Sequence, residues 1–67
     1  MKVDLKKIDE TLAGMTAAEK DAARDACLKY TKQGRKVFGI GQQLAEKFNW
    51  NLGKGVNVAL AWNLYKL

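Results

Sequence analysis

The stretch that decides the fold is residues 54–67, KGVNVALAWNLYKL. At about 100° per residue, its apolar side chains surround nearly the whole circumference of a helix, and only Asn63 and Lys66 mark a polar side. A helix that is apolar all round is usually the centre of a bundle, or it docks against a partner. Residues 56–60 could also form a strand, but a single short strand would have nothing to pair with. We therefore expect a C-terminal helix that is central or lies at a partner interface.

Three further helical segments precede this stretch. Residues 4–13 carry one apolar stripe, and residues 40–48 carry another at i, i+4 and i+8. Residues 16–33 begin with Thr16 and Glu19 at the spacing of a capping box. The sequence thus predicts an all-α fold, a small bundle of three to four short helices in one domain covering residues 1–67. Glycines fall between the segments, where they are expected to end helices and form turns: Gly14, Gly34, Gly39, Gly41, Gly53 and Gly55.

The second segment is predicted to bury a face of small side chains, with one aromatic residue at its end: Ala22, Ala23, Ala26, Cys27 and Tyr30. Cys27 fits there as a small hydrophobic residue, so a structural thiol is favoured over a reactive one. Phe48 and Trp62 are expected in the core. Trp50 stands between two asparagines in a predicted turn, and it is the aromatic side chain that we expect to be exposed.

The composition disfavours several classes of function. The chain has no serine, histidine or proline and a single cysteine. It therefore cannot form a Ser-His-Asp triad, a Cys-His pair or an internal disulfide, and a zinc site is disfavoured. We expect no catalytic residue, metal, cofactor or small-molecule substrate. No apolar run resembles a signal peptide or a transmembrane helix, which predicts a cytoplasmic location.

Charge is distributed unevenly along the chain. Residues 1–28 carry five bases and six acids, whereas residues 29–67 carry seven bases and one acid. Residues 1–28 therefore have a net charge of −1 and residues 29–67 a net charge of +6, which together give the chain its net charge of +5. A one-sided basic surface attracts polyanions, which makes this asymmetry the best functional indication in the sequence.

The densest basic cluster follows the second helix. If that helix continued to Lys36, its last four cations would lie within about 120° of arc, and Asp25 could pair only with Lys29. Repulsion left uncompensated favours an external anion such as phosphate. The alternative is a normal helix end, because cations in a last turn are favoured by the helix dipole. The predicted nucleic-acid-binding residues are Lys29, Lys32, Arg35, Lys36, Lys47 and Lys54.

Known nucleotide-binding and DNA-binding motifs match the sequence poorly. Residues 39–44 lack the third glycine of a dinucleotide fingerprint, and Gly53 and Gly55 do not complete a phosphate loop. Backbone amides near Gly53 could still hold an anion with help from Lys54. Residues 42–60 loosely resemble a helix-turn-helix. The predicted turn at residues 51–55 is too long for that motif, however, and the following helix offers few polar side chains to base edges.

Three functions remain open after the sequence is considered. The first is a non-enzymatic nucleic-acid-binding accessory or regulatory protein that contacts phosphates. The second is a protein-interaction module, an inhibitor or small regulatory subunit, anchored by Trp50, Trp62 and Tyr65. A chain with this much apolar surface could also form a homodimer. The third is a cationic membrane-active peptide similar to a bacteriocin, although the acidic first half argues against it.

Overall fold

A computed structural model describes residues 3–67 of the chain. These residues form four helices and no strand, so the predicted small all-α bundle is confirmed. The strand alternative for residues 56–60 is wrong, because they lie inside the last helix. In chain order the helices are α1 (Leu5–Ala13), α2 (Ala17–Lys32), α3 (Val37–Phe48) and α4 (Leu52–Tyr65).

Side-chain oxygens cap the first turns of three helices. Asp4 accepts from an amide of α1, and Asn51 accepts from the Lys54 amide of α4 at 2.8 Å. At α2 the predicted capping box is complete: the Thr16 hydroxyl accepts from the Glu19 amide, and the Glu19 carboxylate accepts from the Thr16 amide, both at 3.1 Å. These contacts satisfy backbone N–H groups that have no partner within the helix, so they fix where each helix begins.

The capping box makes part of the stability of α2 dependent on pH. The hydrogen bonds from Thr16, together with the nearby ammonium group of Lys54, hold the pKa of Glu19 below its ordinary value of 4.5. A lowered carboxyl pKa adds stability that is present above the ordinary value and is lost as the pH falls through the folded-state value. We expect Glu19→Gln to lower the melting temperature at pH 7. The difference in melting temperature between the unmodified protein and the variant should become steadily smaller as the pH falls below about 4.5. Thermal unfolding of both proteins at several pH values checks this, and a pH-independent difference would contradict it.

Helix α4 is the central helix of the bundle, as its apolar circumference predicts. It packs on each of the other three helices within the described residues. Its buried residues include Val58, Ala59 and Ala61, all fully inaccessible. On one side they pack with Cys27 and Leu44, and on the other with Ile8. The last helix therefore supplies the apolar surface that the other helices cover.

The contact between α3 and α4 is the most extensive in the molecule, and it depends on glycine. The backbones approach so closely that a Cβ atom at Gly41 would lie 2.8 Å from the Val56 Cα. A Cβ atom at Gly55 would overlap the Gly41 carbonyl oxygen. The prediction that all six glycines separate helices is therefore wrong, because Gly39, Gly41, Gly53 and Gly55 lie inside α3 and α4. At Gly41 and Gly55 the absent side chain allows helix packing rather than a turn.

The bounds of α3 and α4 differ from the predicted segments for the same reason. Helix α3 begins three residues before the predicted start at residue 40, and α4 begins at Leu52 instead of residue 54. The connection between them is therefore only residues 49–51. In it, Asn49 adopts a left-handed conformation with φ 58°, which asparagine tolerates better than most residues. This short connection makes α3 and α4 direct neighbours in the bundle.

Candidate nucleic-acid interface

The connection between α2 and α3 directs one cation back onto the end of α2. Gly34 has φ +81°, its amide donates to the Thr31 carbonyl, and the Arg35 amide donates to the Tyr30 carbonyl at 3.1 Å. This pattern is a Schellman motif, in which the second residue beyond the helix cap packs on the helix's last turn. As a result, the guanidinium carbon of Arg35 lies 5.8 Å from the centre of the Tyr30 ring.

Two lysines from different helices meet beside the same tyrosine. Lys29 of α2 and Lys47 of α3 line an open hollow of about 290 Å³ together with Tyr30. Lys29 and Lys32 also line a neighbouring hollow on α2 that contains the exposed side chain of Leu28. Lys29, Lys32 and Lys47 therefore line adjoining hollows, Arg35 lies on Tyr30 beside them, and the exposed Lys36 follows Arg35 in the chain. We call this surface the basic face, and its residues are Lys29, Lys32, Arg35, Lys36 and Lys47.

The cations of the basic face have no carboxylate partner in the part of the chain that the structure describes. Within residues 3–67, the ion pair closer than 4.0 Å joins Arg24 to Asp21. The expected pairing of Asp25 with Lys29 does not form at that distance, although Asp25 lines the same hollow. The positive charge of the face is therefore largely left to solvent or to an external anion.

The helix dipoles act in opposite directions on the two parts of the basic face. Helix α2 ends at Lys32, one residue before the predicted end at residue 33, so Lys36 does not lie on the same helix as Lys29 and Lys32. Lys29 and Lys32 lie in the last turn of α2, where the dipole favours a cation. Lys36 is instead the N-cap of α3, where the dipole disfavours a cation, and no side chain caps this helix. A normal helix end explains the first two lysines but not Arg35 and Lys36.

Lys54 lies apart from the other predicted nucleic-acid-binding residues. Its ammonium nitrogen is 4.6 Å from the centre of the Trp50 ring, and its charge helps to lower the pKa of Glu19. It also lines an open cleft of about 410 Å³ with Glu10, between the end of α1 and the start of α4. Acidic side chains thus offset the charge at Lys54, in contrast to the basic face.

The predicted aromatic anchors do not form one patch. Trp50 precedes α4, whereas Trp62 and Tyr65 lie in its last turns, about 15 Å further along the axis. The Trp62 indole N–H donates to the Thr31 hydroxyl at 3.0 Å, and that hydroxyl donates to the Cys27 carbonyl. The polar atom of Trp62 is therefore already used inside the molecule, where it ties α4 to α2.

Exposure of the aromatic side chains differs from the prediction. Trp50 is half-buried, because it stacks on Phe48 with ring centres 4.8 Å apart and packs against the core. The exposed aromatic residues are Phe38 and Tyr65, at 53% and 50% of their surface. Phe48 and Trp62 pack against the core from its edge and are half-buried. The prediction for Trp50 was wrong because it considered only the turn in which this residue lies, whereas its stacking partner, Phe48, belongs to α3.

The α3–α4 pair resembles a helix-turn-helix in one respect and departs from it in another. Its three-residue connection has the length that the motif requires, so the predicted turn at residues 51–55 is wrong. The second helix, however, is the buried central helix of the bundle. A recognition helix must expose a face to the major groove, which α4 cannot do while it packs on all three neighbours.

The remaining candidate chemistry is limited within residues 3–67. The Cys27 thiol is fully inaccessible, and burial raises its pKa to about 11, so it stays protonated at neutral pH. The described residues contain no cluster of three or more Cys, Asp or Glu side chains arranged to hold a metal ion. No helix among them is long and apolar enough to cross a bilayer.

Comparison with family models, with curated proteins and with solved structures found no match to this chain. Any functional conclusion therefore comes from the residues and their geometry alone.

Sequence reasoning missed Ala22 and Tyr30 as surface residues. Both were expected to be buried, but Ala22 is exposed and Tyr30 half-buried, and both line the hollow beside Lys29 and Lys47. A signal for Tyr30 was present, since a glycine that ends a helix brings the next residue back onto the last turn. Applied to Gly34, that rule places Arg35 on Tyr30. The sequence held no comparable signal for Ala22.

Proposed function

We propose that this protein is a non-enzymatic nucleic-acid-binding accessory or regulatory protein that contacts phosphates through the basic face. One observation carries the proposal: cations from α2, α3 and their connection gather around Tyr30, and no carboxylate forms an ion pair with them within 4.0 Å among the described residues. Phosphate groups would supply the missing negative charge. Because α4 is buried, binding is directed by the backbone of the nucleic acid and not by a helix in the major groove.

The first turn of α3 supports the same proposal. Its amides lack a side-chain cap, and Arg35 and Lys36 precede them. A phosphate placed there would accept from free backbone N–H groups and would face the positive end of the helix dipole. It would also relieve the unfavourable position of the two cations, which the fold alone leaves uncompensated.

Salt dependence tests this proposal directly. If all five cations of the basic face contact phosphates, the affinity for single-stranded nucleic acid should fall roughly 100-fold as salt rises from about 50 to 200 mM. Fluorescence anisotropy of a labelled oligonucleotide, titrated with the protein at both salt concentrations, measures this. Absence of binding at the lower concentration would reject the proposal. Binding that is unaffected by salt would also reject it, because phosphate contacts release counterions.

A protein partner is the second candidate, and it is favoured by one observation at the end of α4. Leu64 and Tyr65 are adjacent and about half exposed, at 48% and 50%. Exposed apolar side chains at a helix end can anchor an interface. This candidate ranks lower because Trp50 and Trp62, its other expected anchors, are engaged within the molecule.

A further inference from the structure

Two hollows lie side by side in the groove between α2 and the end of α3. The first has a volume of about 320 Å³ and is lined by Ala18, Ala22, Phe48 and Trp50. The second, of about 290 Å³, is the hollow that Lys29, Tyr30 and Lys47 line. Ala22 lines both, so the two hollows are adjacent, and we call them together the α2–α3 groove.

The groove combines flat apolar walls with cations at its rim. Phe48 and Trp50 form the wall of the first hollow, and each ring has a lysine ammonium nearby, at 5.8 Å from Lys47 and 4.6 Å from Lys54. Tyr30 contributes the wall of the second hollow and lies under the Arg35 guanidinium. Surfaces that bind single strands combine aromatic rings with cations. Here Phe48 and Trp50 stack on each other, so they line the first hollow as apolar walls.

The spacing of the hollows distinguishes a single strand from a duplex. Ala18, Ala22 and Ala26 are four residues apart on α2, which separates the two hollows by about 6 Å. Neighbouring bases stacked in a duplex are only about 3.4 Å apart. Bases that occupy both hollows must therefore be unstacked, which a single strand permits at low cost. Glu19 and Asp25 also line the hollows, and their carboxylates can accept from exocyclic amino groups of bases.

From this arrangement we infer that the α2–α3 groove takes two consecutive unstacked bases, so that the protein prefers single-stranded over double-stranded nucleic acid. The inference rests on the proposed function, since the basic face holds the phosphates beside these bases. In this arrangement the bases occupy the groove that the alanine side chains of α2 line, and the phosphates of the backbone contact Lys29, Lys47 and the other residues of the basic face.

Filling the groove without changing its charge tests the inference. Ala22→Met places a larger apolar side chain at the position that lines both hollows, and its exposed position on α2 accepts methionine without helix distortion. Ala17→Met is the matched control, because Ala17 is exposed on the same helix but lines neither hollow. Circular dichroism establishes that both variants fold.

The readout is the anisotropy of a labelled mixed-sequence oligonucleotide, alone and annealed to its complement, at about 50 mM salt. The expected result is that the unmodified protein binds the single strand at least about tenfold more tightly than the duplex. Ala22→Met should remove most of this preference and leave duplex binding unchanged, while Ala17→Met changes neither. If the protein binds the single strand and the duplex with equal affinity, and Ala22→Met changes neither affinity, the inference is overturned. The proposal that the basic face contacts phosphates would still hold. No binding to either form would overturn both proposals.

Discussion

Gly55→Ala should remove most of the stability of this protein at room temperature. The new methyl group would overlap the Gly41 carbonyl oxygen and lie 3.0 Å from the Ala45 Cβ. The nearest of these atoms belongs to the backbone, so no side chain can rotate away, and α3 and α4 would have to separate. Overpacking in a core typically costs 1–3 kcal/mol, and we expect about 3 kcal/mol here. A core of this size rarely supplies more than about 3–5 kcal/mol in total.

Urea unfolding monitored by circular dichroism checks this expectation, with Gly39→Ala as the matched control. Gly39 lies in α3, two residues from Gly41, but the nearest heavy atom to a Cβ there is the Arg35 Cβ at 3.9 Å. Alanine should therefore stabilise α3 by about 0.5–1 kcal/mol through its higher helix propensity. If Gly55→Ala is as stable as the unmodified protein, the close approach of α3 and α4 is wrong.

Lys36→Asp should stabilise the protein and at the same time weaken nucleic-acid binding. Lys36 already has the extended backbone of an N-cap, with φ −87° and ψ 168°, but its side chain makes no capping hydrogen bond. An aspartate there can accept from the free amides of α3 and complement the helix dipole. We expect a gain of about 1–2 kcal/mol in the free energy of unfolding. Replacing a cation by an anion at the basic face should lower the affinity roughly 50-fold at about 50 mM salt.

Two controls separate the two effects of this substitution. Lys36→Gln removes the charge without adding an effective cap, so it should weaken binding by roughly eightfold and change stability little. Lys6→Asp makes the same change in net charge on α1, away from the basic face, and should leave the affinity within about twofold. Denaturant unfolding and anisotropy are measured on all of them. A Lys36→Asp protein that is more stable but binds as before would remove the start of α3 from the interface.

The opposite signs expected for Lys36→Asp have a general meaning. A residue that only serves the fold should lower stability when it is replaced. An aspartate at position 36 should stabilise the fold more than the lysine does, since the other three helices each have a side-chain cap. The lysine is therefore unfavourable for local stability at this position. Such conflicts are expected where a residue is retained for binding. The unfavourable position of Lys36 at the N-cap therefore supports our proposal that it contacts phosphate, independently of the total charge.

Local signals in the sequence were sufficient for α1 and α2 and their first turns. The capping box at Thr16 and Glu19, the cap at Asp4 and the stop at Gly34 each act within about one helical turn, so they could be predicted without knowing what packs nearby. The apolar circumference of residues 54–67 likewise predicted that α4 is central or lies at a partner interface. Gly53 and Gly55 favoured a turn at residues 51–55 in the prediction. For this reason Asn51 was not predicted as the cap of α4.

The sequence by itself therefore determined the all-α fold and the basic second half of the chain. It left open whether the last helix is central or lies at a partner interface, and the tertiary structure decided that it is central. Tertiary structure alone decided which cations share a surface, why Trp50 is half-buried, and what Gly41 and Gly55 do. These properties depend on contacts between residues far apart in the chain, such as the hydrogen bond from Trp62 to Thr31, 31 residues away. Local propensity acts over about four residues, whereas the basic face and the groove exist only when α2 and α3 pack together.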